Sequence, residues 1–212
     1  MQSLRETRRQ ADIAQAAYIA TDRPWLEVTG LVVENVEIMP GVGVSATIVV
    51  RTKNIGRSPA IGAIEIVEML VDDRGANLMQ QAAPMCQRAV VDKELLRGIE
   101  GAMFPDAARE TRYLRLLSQT MIARSREHHQ QGEGTSNSAI SLNRASVAIV
   151  GCTTYALPVG TAAGYTAFIY KLARNCGTDT VALPCDFDLD APATLRGDQI
   201  AVSVAPFAGF AR

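Results

Sequence analysis

The chain has few of the side chains that most often do chemistry. Of its 212 residues only 2 are His, 1 is Trp and 4 are Cys, and aromatics make up 5%. It has no surplus of charge: 21 basic against 22 acidic residues leave −1 at pH 7, so no general pull toward nucleic acid or anionic lipid is expected. No apolar run approaches the roughly 18 residues of a membrane span. No C-x-x-C pair occurs, which excludes a zinc ribbon and a thioredoxin-type motif. No G-x-x-x-x-G-K-[ST] loop occurs, so nothing supports P-loop nucleotide binding. Four Cys are too few for a disulfide-dense miniprotein. What is present is apolar bulk. A hydrophobic content of 48% excludes intrinsic disorder, and 16 Gly with 9 Pro exclude a collagen-like chain. The length suits one large domain or two small ones with a real core.

The first residues, MQSLRETRRQADIAQ, are polar. Asp12 and Gln15 interrupt the only candidate for the apolar part of a signal peptide, so no export signal is expected. Residues 3 to about 21, rich in Ala, Arg, Gln and Glu without Gly or Pro, predict a helix that Pro24 terminates. Leu4, Ala11, Ala14 and Tyr18 form a thin stripe on one face. That stripe is too weak to hold the helix in water without a partner.

β-branched runs bounded by Gly, Pro and Asn then predict strands at 25–38, 44–54, 61–71, 145–157 and 165–173. The last two surround the Gly-rich link 158–164 and read as a hairpin. Two shorter strands are expected at 185–190 and 199–205. Residues 76–100 predict one or two helices. Residues 107–130 fit either a helix, with Leu114, Leu117 and Met121 on one face, or a strand RYLRLLSQTMIA leading into a polar tail. Residues 131–138 are a loop by composition. About seven short strands separated by turns point to an antiparallel sandwich.

The candidate sites are thin. Gly41-Val42-Gly43-Val44-Ser45-Ala46 matches G-x-G-x-x-A, but a strand rather than a helix follows, so the match reads as a hairpin turn. Asp186, Asp188 and Asp190 have the opening spacing of a calcium loop, but Ala191 and Gly197 stand where Gly and Glu are needed. On a strand the three carboxylates share one face and Phe187 and Leu189 the other. His128 and His129 are adjacent and make a poor bidentate metal pair. A Cys152 dyad with His128 or His129 is the one arrangement that would support nucleophilic catalysis. Cys152, however, sits in an apolar run that looks like core. The four Cys read as buried thiols, with three disulfide connectivities open in an oxidising compartment. Arg109, Arg112, Arg115, Arg124 and Arg126 read as a solvated helix face, or as a contact for anionic lipid or an acidic partner. Trp25 reads as an anchor at the helix–sheet junction, or as an exposed aromatic at a membrane or partner surface.

One series of short motifs runs through most of the chain. It comprises Asp22-Arg23-Pro24-Trp25-Leu26, Lys53-Asn54-Ile55-Gly56-Arg57-Ser58-Pro59-Ala60, Met103-Phe104-Pro105, Val150-Gly151-Cys152-Thr153-Thr154-Tyr155 and Tyr165-Thr166-Ala167-Phe168-Ile169-Tyr170. In this order they resemble a widespread group of uncharacterised bacterial proteins with an N-terminal transmembrane helix, a short helical stalk and a β-sandwich-like domain. The resemblance implies membrane association and no catalytic residues. It also implies a membrane helix, which this sequence does not contain; the chain reads as a variant that starts late or a sequence clipped at its start. Asn54 and Gly56 read as a turn that uses their tolerance of positive φ. Tyr155, Tyr165, Phe168 and Tyr170 are expected to pack or cap the sandwich.

The expected fold is therefore mainly β: an antiparallel immunoglobulin-like sandwich over 23–212, a helix or stalk over 1–22, and a helical insertion at about 76–130. The expected role is non-enzymatic, a membrane-proximal module acting by protein–protein interaction or self-association through its N-terminal helix. The alternative is small-molecule or carbohydrate binding through the loops 131–138 and 158–164. No cofactor, metal or nucleic acid is expected.

Overall fold

The computed structural model describes residues 2–72, 78–91, 101–132, 144–157, 163–177, 183–204 and 210–211. Helix α1 (Gln2–Thr21) leads into β1 (Leu26–Met39), β2 (Gly43–Asn54) and β3 (Ile61–Val71). Helix α2 (Leu78–Val91), β4 (Ala108–Ser118) and helix α3 (Gln119–Gly132) follow. Next come β5 (Arg144–Ala145), β6 (Val147–Ala156), β7 (Ala163–Asn175), β8 (Pro184–Cys185) and β9 (Phe187–Asp188). The chain ends with β10 (Ala193–Arg196), β11 (Ile200–Val204) and β12 (Phe210–Ala211).

The strands pair antiparallel throughout the described residues. One sheet has the order β10-β1-β2-β4. The other has β11-β7-β6-β3, with β8 and β12 also on β7. The β1–β2 hairpin turns at Pro40-Gly41-Val42, where Val42 N donates to Met39 O at 3.0 Å. Gly41 and Gly43 have φ of 75° and 141°. A Cβ on Gly43 would lie 2.1 Å from the Leu117 carbonyl oxygen, so only glycine fits there. The G-x-G stretch is thus a hairpin turn that feeds a strand.

The main core lies between the two sheets. β2 sends Val44, Ala46, Ile48 and Val50 into it, facing Val67 and Met69 of β3 and Val147 and Ile149 of β6. This is the period-2 pattern of a strand with one buried face. The outer face of the second sheet is covered as well. Leu78, Ala82, Met85 and Cys86 of α2 pack on Ala148, Val150 and Cys152 of β6 and on Ala167 and Ile169 of β7. Both faces of β6 are therefore buried, which is why its run from Val147 to Cys152 is continuously apolar rather than alternating. α1 differs from α2: every residue from Leu4 to Ala17 is exposed, with Leu4 at 71% and Ile13 at 60%. The side chain of Tyr18, the fourth member of its stripe, lies outside the described residues. No described helix is long and apolar enough to cross a membrane.

Three expectations are corrected. The helical insertion at about 76–130 is interrupted by β4, an 11-residue strand paired along β2, so among the described residues there the helices are α2 and α3. The strand pattern prevails because Arg109, Thr111, Tyr113, Arg115 and Leu117 lie on the more buried face and alternate with exposed Glu110, Arg112, Leu114 and Leu116. Consequently Arg109, Arg112 and Arg115 do not form a helix face. Among the cysteines, Cys86 and Cys152 are free and buried, but Cys176 and Cys185 are joined in a disulfide with a Cα–Cα distance of 6.0 Å. The adjacent pairing of Arg174 with Cys185 and Asn175 with Pro184 brings those two sulfurs together.

Candidate functional site

Residues from each of the five motifs, spread from Asp22 to Thr166, meet at the end of the sandwich where α1 enters. The centre is Asn54, the last residue of β2. The buried parity of β2 runs Val44, Ala46, Ile48, Val50 and then turns polar at Thr52 and Asn54, both fully buried. Asn54 uses its whole hydrogen-bonding capacity. Its Oδ1 accepts from Trp25 N at 3.3 Å and Gly56 N at 2.9 Å. Its Nδ2 donates to Ser58 O at 2.8 Å and Met103 O at 2.7 Å. One side chain thus ties the start of β1, the loop after β2 and the approach to β4.

Other contacts close the node. Ser58 Oγ donates to the Asp22 carbonyl, and Tyr155 OH donates to Pro24 O at 3.0 Å. Ile55 N donates to Trp25 O at 2.8 Å, and Thr166 Oγ1 donates to Leu26 O. Ala60 and Met103 exchange two backbone hydrogen bonds, at 3.0 and 2.9 Å. Leu26, Ala60, Ala63, Met103, Tyr155 and Leu157 supply a small apolar cluster beneath. The Arg23 guanidinium stacks 3.6 Å from the Trp25 ring centroid, so Trp25 anchors the junction by cation–π contact. Thr21 Oγ1 donates to Ala17 O at 2.8 Å and satisfies a carbonyl in the last turn of α1.

Gly56 is needed here for a different reason than expected. Neither Asn54 nor Gly56 has positive φ. A Cβ on Gly56 would stand 2.4 Å from Trp25 N and 2.5 Å from Arg23 O, so glycine permits two backbones to touch. Gly151 plays a similar part, since a Cβ there would stand 2.2 Å from the Phe168 ring. Among the described non-glycine residues Asp106 takes positive φ, at 63°, and its carboxylate pairs with Lys53 Nζ at 3.1 Å.

A second polar layer lies beside the node, between the sheets. The Glu65 side chain is 1% exposed. It accepts from Thr52 Oγ1 and, at 3.0 Å, from Tyr113 OH, with Arg109 Nη2 3.8 Å away. The same β4 side chains bind the backbone of β3, which is an edge strand. Arg109 Nη2 donates to Ala63 O at 3.2 Å and Arg115 Nε to Val67 O at 2.6 Å. Carbonyls that would otherwise invite a further strand are thereby occupied. Arg112 instead pairs across the exposed face with Glu34 at 2.6 Å. Burial raises the Tyr113 phenol above its ordinary value, and the neighbouring Glu65 carboxylate adds to the effect. Burial also raises Tyr155 and Tyr170.

The other sequence candidates fall elsewhere. Cys152 is 0% exposed on the face of β6 that meets α2. Its interaction with Cys86, and then burial, raise its thiol above the ordinary range. The His128 and His129 side chains lie outside the described residues, as do most of the loops 131–138 and 158–164. Phe187 and Leu189 are buried while Asp188 and Asp190 remain at the surface, the alternation expected of that strand. Asp186 accepts from Ser146 Oγ, and Asp188 Oδ1 accepts from Asp190 N at 3.1 Å. Among the described residues no group of three or more His, Cys, Asp or Glu side chains is placed to hold a metal ion. Tyr155 and Phe168 are core residues, and Phe168 meets Tyr170 edge-on at 6.1 Å. The buried hub at Asn54 was visible in sequence only as a polar residue continuing the buried parity of β2. No family model matches the chain, no curated protein matches its sequence and no solved structure matches its fold.

Proposed function

We propose that the chain is a non-enzymatic, membrane-proximal module of immunoglobulin-like topology that acts by protein–protein interaction through α1. The observation that carries this reading is the contrast between the two ends of α1. Its body from Leu4 to Ala17 touches no core, while the residues that follow it are held by Asn54, Ser58 and Tyr155. An isolated helix of this composition is marginal in water. A fixed exit direction is of use when the helix pairs with another chain, and its small Ala residues permit close approach.

The strand order supports the immunoglobulin-like part. β1-β2-β4 and β3-β6-β7 follow the A-B-E and C-F-G orders of the two immunoglobulin sheets, with β10 and β11 added at the β1 and β7 edges. The disulfide that links B to F in antibody domains has no counterpart, because Cys152 faces α2 rather than β2. The Cys176–Cys185 bond supports an oxidising compartment, hence the outer side of a membrane. The membrane-proximal placement itself rests on the resemblance of the motif series.

The test compares the full chain with one lacking residues 1–20, by thermal unfolding and sedimentation velocity. The midpoint should move by less than about 2 °C, because α1 from Leu4 to Ala17 buries no core residue. Self-association of the full chain should disappear on truncation. A truncated chain that fails to fold, or that associates like the full chain, overturns the reading.

A further inference from the structure

We propose that Cys86 and Cys152 form an internal dithiol, and that its oxidation to a second disulfide staples α2 onto the outer face of the second sheet. The residues come from different elements, yet they meet at the centre of the helix–sheet contact. Both are 0% exposed and both are free. The two thiols interact with each other within one buried cluster. The cluster around them is mainly apolar, with Ala82, Met85, Val150, Ala167 and Ile169, while Tyr165 packs at its margin and the Glu68 charge acts on Cys152.

The pair is asymmetric. The interaction with Cys152 holds the Cys86 thiol below its ordinary value, whereas Cys152 is held above it. Once α2 has left the sheet either thiolate can attack first, with the roles of the two sulfurs exchanged. With Cys86 first and a small disulfide such as oxidised glutathione, the Cys86 thiolate bonds to one glutathione sulfur and displaces the other as a thiolate. Cys152 then gives up its proton and attacks the Cys86 sulfur, releasing the second glutathione. The protein loses two protons and two electrons, and the reagent leaves as two thiols. Burial sets the timing. No reagent reaches either sulfur until α2 leaves the sheet, so one opening event exposes both thiols, and the pair closes when the helix returns.

The experiment uses the full chain carrying C176S/C185S, so that only the internal pair can oxidise. It is incubated with oxidised glutathione, alkylated in denaturant, and read by intact mass and peptide mapping. The expected product has lost the mass of two hydrogens, takes up no alkylating agent, and yields a peptide joining residues 86 and 152. Its thermal midpoint should rise on the order of 10 °C and fall back on reduction. Before oxidation, the two thiols should be alkylated in the native state at the same rate. The C152S change in the same background should trap glutathione on Cys86 as a stable adduct. The proposal is overturned by stable glutathione adducts on the wild-type pair, by two free thiols after exposure, or by unequal native alkylation rates. If C152S does not fold, the peptide map decides alone.

Discussion

Replacing Asn54 with Ala tests the node most directly. The change removes four hydrogen bonds and leaves four backbone groups without that partner: Trp25 N, Gly56 N, Ser58 O and Met103 O. Met103 O keeps its bond from Ala60 N, so losing the Asn54 amide there costs about 1 kcal/mol, whereas the buried bond to Ser58 O is worth about 1–3 kcal/mol. The bonds from Trp25 N and Gly56 N are partly buried, and each adds about 1 kcal/mol. The total, about 4–6 kcal/mol, is a large share of the roughly 5–15 kcal/mol that stabilises a typical domain. For a chain of this size that is a fall of about 8–24 °C in midpoint. Urea unfolding followed by circular dichroism measures it. Asn54→Asp sharpens the test, because it keeps acceptors for Trp25 N and Gly56 N but turns oxygen toward two carbonyls. It should be at least as damaging as the alanine change. A loss below about 1 kcal/mol for Asn54→Ala would mean that water or neighbouring groups replace the bonds, and the node would not be the fixed point argued above.

Other residues give narrower tests. Gly56→Ala should destabilise by about 1–3 kcal/mol through backbone displacement at Arg23–Trp25, measured by the same urea titration. The paired change C176S/C185S should lower the midpoint by about 5–10 °C, since the bond closes a short loop of sequence separation 9. Tyr113, Tyr155 and Tyr170 all have raised folded-state pKa values. Their contribution is fully present below the unfolded tyrosine pKa of about 10, and is lost as pH rises toward the folded values. Stability should therefore fall above about pH 10, and Tyr113→Phe should flatten that fall while lowering stability at pH 7 by about 1–3 kcal/mol through the exposed need of Glu65.

The sequence alone determined which segments became strands where one face is buried. β2 and β3 carry their periodicity openly, and β6 announces burial on both faces by its unbroken apolar run from Val147 to Cys152. The hairpin turn at Gly41 was equally legible, because glycine at positive φ is a local requirement. The thin stripe of α1 predicted a helix without a core partner, and its exposure from Leu4 to Ala17 follows from the same small residues. Tertiary structure decided the rest. β4 carries helix-compatible Arg, Leu and Glu, and its strand state is set by pairing with β2 and by Arg109, Tyr113 and Arg115 reaching the edge of β3. Cys176 and Cys185 became partners through strand pairing, which spacing does not encode. Cys86 meets Cys152 only because α2 folds back over the sheet. Asn54 looked like a turn former, since its local options are all that a sequence displays. Its role as a hub depends on groups at positions 25, 56, 58 and 103, and only the packing of two sheet edges and two loops brings those groups within hydrogen-bond reach.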